Sequence, residues 1–271
     1  MRELGHEPGR TLLVESRHPG GDLKRLPELA RELVALKPAL IAAGAHQSTA
    51  ALKAATSSIP VVFRIGIDPV ATGLVASLAR PGGNLTGIFQ LTAELFGKRF
   101  ELLRELAPRA RRIGCLRQAS EKQYEPMIND LAARTGFEVT WLVADAPGEI
   151  EAAVAGAAAQ RLEGFLIGGG PVNNIHRQVV VDAVARTRLP AVYPELPFAE
   201  AGGLVAYASD VRAGFVRLAD YAHRVLQGAK PADLPVEQAS VIELAVNLKA
   251  ARAQGIRIPQ PVLLRATKVI E

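Results

Sequence analysis

Cysteine, aromatic side chains and long apolar runs are what this 271-residue chain has least of: one Cys, 5% aromatics, and no stretch near the ~20 apolar residues that a membrane-spanning helix needs. A lone thiol cannot close an internal disulfide, and Cys115, in Arg112-Ile113-Gly114-Cys115-Leu116, has the apolar neighbours of a core filler rather than of a nucleophile. The five histidines, His6, His18, His46, His176 and His223, show no i, i+4 pairing, so local spacing builds no zinc-like set. A Gly-x-Ser-x-Gly elbow and a Walker A loop are both missing. Gly168-Gly169-Gly170-Pro171 misses the dinucleotide fingerprint, because Pro171 replaces the expected helix-opening spacing. No enzyme activity, cofactor or metal is expected. The opening residues Met1-Arg2-Glu3-Leu4-Gly5 are polar and lack the apolar core of a secretory signal, so a genuine start at Met1 would imply a cytoplasmic protein.

The basic excess is small and dispersed. With 32 Lys+Arg against 27 Asp+Glu the formal charge is +5, and the only cluster, Arg109, Arg111 and Arg112, follows a helix ending near Pro108, where cations complement the helix dipole. Nucleic acid is not an expected partner.

What the chain does have is alternation, best seen from Ile59 to Gly87. A β-branched strand, Val61 to Ile65, runs into Asp68-Pro69, where a carboxylate can cap a helix that opens on Pro69; Pro81-Gly82-Gly83 would stop that helix, and Asn84 to Gly87 lead into Ile88-Phe89. Before it, strands are predicted at Thr11 to Ser16 and Ala39 to Ala43, and helices at Leu26 to Leu36 and Thr49 to Ala55. A second β-α series follows Gln90, through strands at 112–116, 138–143, 164–167, 191–193 and 204–207 and helices at 93–107, 125–135, 149–160 and 177–187, before a helix at 213–226 and a strand at 241–246. Regular alternation means parallel sheets with helices on both faces, and two series argue for two lobes.

Asp68-Pro69-Val70-Ala71-Thr72-Gly73-Leu74-Val75-Ala76-Ser77-Leu78-Ala79-Arg80-Pro81-Gly82-Gly83-Asn84-Leu85-Thr86-Gly87 resembles the signature of ABC-transporter substrate-binding proteins of the tryptophan/tyrosine type. The resemblance recurs in Thr92-Ala93-Glu94-Leu95, Lys98 to Pro108, Lys230 to Val236 and Leu244 to Lys249, so it covers nearly the whole chain. It implies an α/β protein of two lobes, each a doubly wound parallel sheet, with lobe 1 formed by 1–90 and 208–271, lobe 2 by 91–207, and the chain crossing twice between them. It also implies a cleft that closes by a hinge over a small solute, an ABC permease as docking partner, and an extracytoplasmic location, with the protein acting as a monomer. Family members carry a signal and a first strand ahead of a helix end that reads like Arg2-Glu3-Leu4-Gly5. The expectation is therefore a missing strand between Thr11–Ser16 and Ala39–Ala43, leaving a gap of about 10 Å. The same fold also serves cytoplasmic ligand sensors, which would suit a missing signal.

Ligands of open α/β sheets sit at the carboxyl ends of strands, which sets the candidate residues. In the first lobe these are Gly44, Gln47, Ser48 and Thr49 at a helix start that suits a carboxylate, Asp68, and Gln90 and Thr92 at the lobe crossing. Ser48 serves as N-cap or as anion contact, and Asp68 as cap or as partner of an ammonium; one geometry fits both roles. In the second lobe Arg117, with Gln118, stands where family members often have an Asn-Pro-rich loop. Asn173 can donate and accept, Glu195 can pair an amine, and Phe198 or Tyr207 could form an aromatic wall. The bland alternative for each is a loop-stabilising polar residue or a core aromatic.

Overall fold

The structure, a computed structural model, describes every residue except Pro8, Gly21 and Ser240. The chain divides into two compact units, Met1–Thr92 with Asp210–Val241, and Ala93–Ser209 with Ile242–Glu271.

In the first unit, α1 (Leu26–Ala35) takes Pro27 in its first turn and buries Leu29 and Ala30. It is followed by β1 (Ile41–Ala43), α2 (His46–Ala55), β2 (Val61–Ile65) and β3 (Leu85–Phe89). All ladders are parallel, with Ala43 beside Phe63 and Phe63 beside Gly87. Alternation along β2 explains the layering. Val61, Phe63 and Ile65 pack with Ala30 and Leu52 on the face covered by α1 and α2, whereas Val62 packs on the other face with Tyr221 and Val225.

The second unit runs α3 (Thr92–Leu106), β4 (Arg112–Arg117), α4 (Glu125–Arg134), β5 (Glu138–Val143), α5 (Pro147–Ala155), β6 (Phe165–Ile167), α6 (Pro171–Ile175), α7 (Arg177–Thr187), β7 (Ala191–Tyr193), α8 (Leu196–Glu200) and β8 (Val205–Ser209). The chain then returns to the first unit for α9 (Val211–Leu226) and the short β9 (Glu237–Gln238), which completes the sheet order β1-β2-β3-β9. It finally re-enters the second unit with β10 (Ile242–Asn247), α10 (Leu248–Gln254), α11 (Gln260–Arg265) and β11 (Lys268–Ile270). The second sheet has the order β11-β10-β8-β7-β6-β4-β5. One of its faces packs Phe96, Phe100 and Leu103 of α3 and Val262 of α11; the other packs Ile150, Val180 and Phe198. Each such side chain contributes about 2 kcal/mol by leaving water.

Four expectations change. Residues 242–271 belong to the second unit and not to the first, because β10 pairs antiparallel with β8 and buries Leu244 and Val246 in the α3 core; the chain therefore passes between units three times, and the second sheet is mixed. No strand forms at Thr11–Ser16. Among the described residues no backbone hydrogen bond joins Leu13 or Val14 to Leu40 or Ile41, so the two segments stay unpaired as expected; Leu13 is 84% exposed and β1 is the sheet edge, with no strand at 11–16 to bound a gap. Leu12 makes an isolated bridge, and a single bridge does not build a strand. The helix expected after Asp68 is replaced by turns between β2 and β3: Leu74 N donates to Pro69 O at 2.8 Å, and Gly73, left-handed at φ 68°, ends the single turn. Lastly, α2 begins at His46, three residues before the expected start.

Candidate functional site

At the carboxyl end of β1, Gly44 leads to Ala45, the N-cap of α2, which has no side chain to bond the first-turn N–H groups. Ser48 is inside the helix and is not its cap. Its hydroxyl donates to Ala45 O at 2.9 Å, as does the Thr49 hydroxyl at 2.8 Å, and Thr49 is fully buried. Gln47 lies in the same first turn. The early start of α2 thus turns both hydroxyls inward and leaves the amino end of a ten-residue helix to its backbone, with the partial positive charge such an end carries.

Asp68, at the end of β2, caps its own turn, accepting from Val70 N at 2.8 Å and Ala71 N at 3.2 Å. Past β3, Gln90 N donates to Ile65 O at 2.9 Å and Thr92 N to Gly66 O at 3.3 Å, which ties the crossing segment to the end of β2. Gln90 Oε1 accepts from Arg64 Nη2 at 3.3 Å. Arg64 escaped the sequence reading. Its signal was present, a cation within the apolar run Val61-Val62-Phe63-Arg64-Ile65.

In the second unit the ends of β4, β6 and β7 meet. Gln118 Oε1 accepts from Val172 N at 3.0 Å, Asn173 Nδ2 donates to Gly168 O at 3.1 Å, and Asn174 Nδ2 donates to Gly169 O at 3.2 Å and Glu195 Oε1 at 2.9 Å. These acceptors fix the orientation of both amides, since a flipped Asn would set oxygen against oxygen. Asn173 Oδ1 and Asn174 Oδ1 are then buried acceptors with no donor among the described residues. Glu121 belongs to this group and was not singled out from the sequence: it accepts from Gln118 N at 2.9 Å, and burial holds its carboxyl above the ordinary carboxylate range. Structure therefore brings Asn173 and Glu195 together through Asn174.

The remaining candidates have other positions. Arg117 forms an ion pair with Glu125, donates to Gln118 O at 2.8 Å and lies 5.4 Å from the Trp141 ring centroid, on the face covered by α4. Phe198 is fully buried and stacks on Tyr193 at 5.6 Å, so it fills the core and forms no wall. Tyr207 is half-buried against the α3 core, and its carbonyl accepts from Arg99 Nε at 2.8 Å. Arg99, whose Nη2 also donates to Pro194 O at 3.1 Å, is buried deeply enough for desolvation to lower its pKa to about 10. Burial likewise pushes the Cys115 thiol up, away from the thiolate a nucleophile needs. Among the described residues no three His, Cys, Asp or Glu gather to hold a metal ion, and no helix is long and apolar enough to cross a membrane.

Comparison with known proteins agrees with this architecture. The chain is 25% identical over 259 residues to a tyrosine-binding protein of Clostridioides difficile strain R20291, covering 93% of this chain and 73% of that one. A conserved domain protein from Vibrio cholerae superimposes with a TM-score of 0.80 at 26% identity, covering 99% of this chain and 90% of that chain. An ABC domain from Streptococcus pneumoniae in complex with L-Trp gives a TM-score of 0.77 at 26% identity, covering 99% and 91%. The model of the ABC transporter substrate binding protein family matches residues 1–270, and the chain belongs to that family.

Proposed function

We propose that this protein captures a free amino acid, or a similar small carboxylate carrying an amine, and hands it to an ABC permease outside the cytoplasmic membrane. The observation that carries the reading is the opposite character of the two sets of strand ends. In the first unit the amino end of α2 lacks a side-chain cap and draws an acid; in the second, the side-chain oxygens of Asn173 and Asn174 find no donor among the described residues and stand next to Glu195, which suits an ammonium. The tyrosine-binding relative and the L-Trp complex support an amino acid as the ligand class. Capture consists of binding followed by closure of the units, bending at the three connections near 92/93, 209/210 and 241/242, with the closed form favoured only by the ligand's preference for it. No bond is made or broken. A thermal-shift screen over amino acids, small carboxylates and nucleobases tests the reading. A binder at 100 times its Kd adds about 2.7 kcal/mol and raises the melting point by several degrees, whereas a response confined to nucleobases contradicts an amino-acid receptor.

A further inference from the structure

The amino end of α2 supplies partial charge but no formal one, and a formal charge stands on the other face of the same sheet. Arg64 is the fourth residue of β2, the strand between β1 and β3, and shares the α9 face with Val62. It is half-buried, one position from the carboxyl end of its strand. A guanidinium on such a strand is costly unless its donors are used. Among the contacts that orient the fork, Nη2 donates to Gln90 Oε1 at 3.3 Å, the guanidinium carbon lies 5.2 Å from the Phe215 ring centroid, and α9 makes room for it at Gly214. A Cβ at 214 would stand 2.8 Å from Arg64 Nε. The helix therefore keeps a glycine in its first turns, at a cost of about 1 kcal/mol relative to alanine, where the arginine passes. That is the arrangement of a positioned cation rather than of a side chain that wanders into solvent.

We propose that Arg64 is the residue that reads the acid group of the ligand, pairing its guanidinium with a carboxylate at the carboxyl edge of the first sheet; this rests on the amino-acid reading above. An amide oxygen, an aromatic face and a glycine slot orient the fork in advance, and a planar fork matches a planar carboxylate. The ring of Phe215, 53% exposed beside it, extends the same edge with an apolar surface. On this account Arg64, more than the first turn of α2, sets the preference for acids over their amides.

The test is calorimetric titration of the full chain with L-tyrosine and L-tyrosinamide, and with L-tryptophan and L-tryptophanamide. Wild type is expected to prefer the acid of a pair, and Arg64→Gln to weaken the acid by about 30-fold while leaving the amide within about threefold. Arg64→Lys should fall between them, because charge survives without the fork. Should Arg64→Gln fail to fold, Gly214→Ala displaces the guanidinium without removing it and is expected to reduce the acid preference. An unchanged acid-to-amide ratio in whichever of these variants folds overturns this proposal alone. Failure of the wild type to bind any of the four compounds overturns the amino-acid reading, and this proposal with it.

Discussion

Gly87 and Phe63, register partners on β3 and β2, are so close that a Cβ on residue 87 would lie 2.6 Å from the Phe63 backbone nitrogen and 2.8 Å from its carbonyl carbon. Gly87 also has φ 152°, which side-chain-bearing residues rarely adopt. The atoms in the way are backbone of a central strand and cannot swing aside. Gly87→Ala is therefore expected to destabilise the protein by about 3 kcal/mol or more, read as a large drop in melting temperature. A melt within a degree of wild type would show that β2 and β3 can separate at no cost.

Arg99 ties the middle of β8 to the residue that follows β7 through the carbonyls of Tyr207 and Pro194. Arg99→Met keeps the aliphatic stem but leaves both carbonyls without their charged donor, and a loss of about 2 to 4 kcal/mol is expected in denaturant unfolding. Arg99→Lys should recover only part of it, since an ammonium cannot repeat the fork.

The pH dependence centred on Glu121 follows from the sign of its shift. Burial raises its folded-state pKa above that of an ordinary glutamate, so the folded protein holds the proton more tightly than the unfolded chain. In the window from that raised pKa down to 4.5, acidification makes this group's contribution more favourable to folding. Glu121→Gln has no such slope. The stability difference, wild type minus variant, is expected to rise between pH 7 and pH 5 in paired denaturant titrations. A difference independent of pH would mean that Glu121 is solvated like an ordinary surface carboxylate.

Asp68 uses its side chain on Val70 N and Ala71 N. Its removal should therefore act on the fold: Asp68→Ala is expected to cost about 1 kcal/mol of stability and to leave amino-acid affinity within about threefold. A selective loss of affinity at unchanged stability would restore the ammonium-partner role.

Most of the architecture was legible because helix and strand periods differ. Val61–Ile65, Glu138–Val143, Arg177–Thr187 and Ala191–Tyr193 form over the residues that their patterns predict. What could not be read depended on partners. Thr11–Ser16 has the composition of a strand but pairs no further than an isolated bridge at Leu12, and Leu74-Val75 has a helical look that left-handed Gly73 cancels. Residues 242–271 went to the wrong lobe because strand pairing across the chain leaves no local trace. At the site, position was legible and orientation was not. Sequence places Ser48, Phe198 and Arg117 at strand ends, but only packing decides that Ser48 turns to Ala45 O, Phe198 to Tyr193 and Arg117 to Glu125. Arg64 was overlooked for the opposite reason, since a charge inside a strand pattern reads as an interruption until the neighbours that hold it, Gln90, Gly214 and Phe215, are seen around it.

The account stands most directly on whether the folded protein binds an amino acid at one site. Isothermal titration of the full chain with L-tyrosine, L-tryptophan and the other common amino acids is expected to give one-to-one binding of at least one of them with a Kd of about 10 μM or tighter, near −7 kcal/mol, with a negative heat-capacity change as apolar surface closes over it. A folded, cooperatively melting protein that gives no heat with any of them would contradict the account.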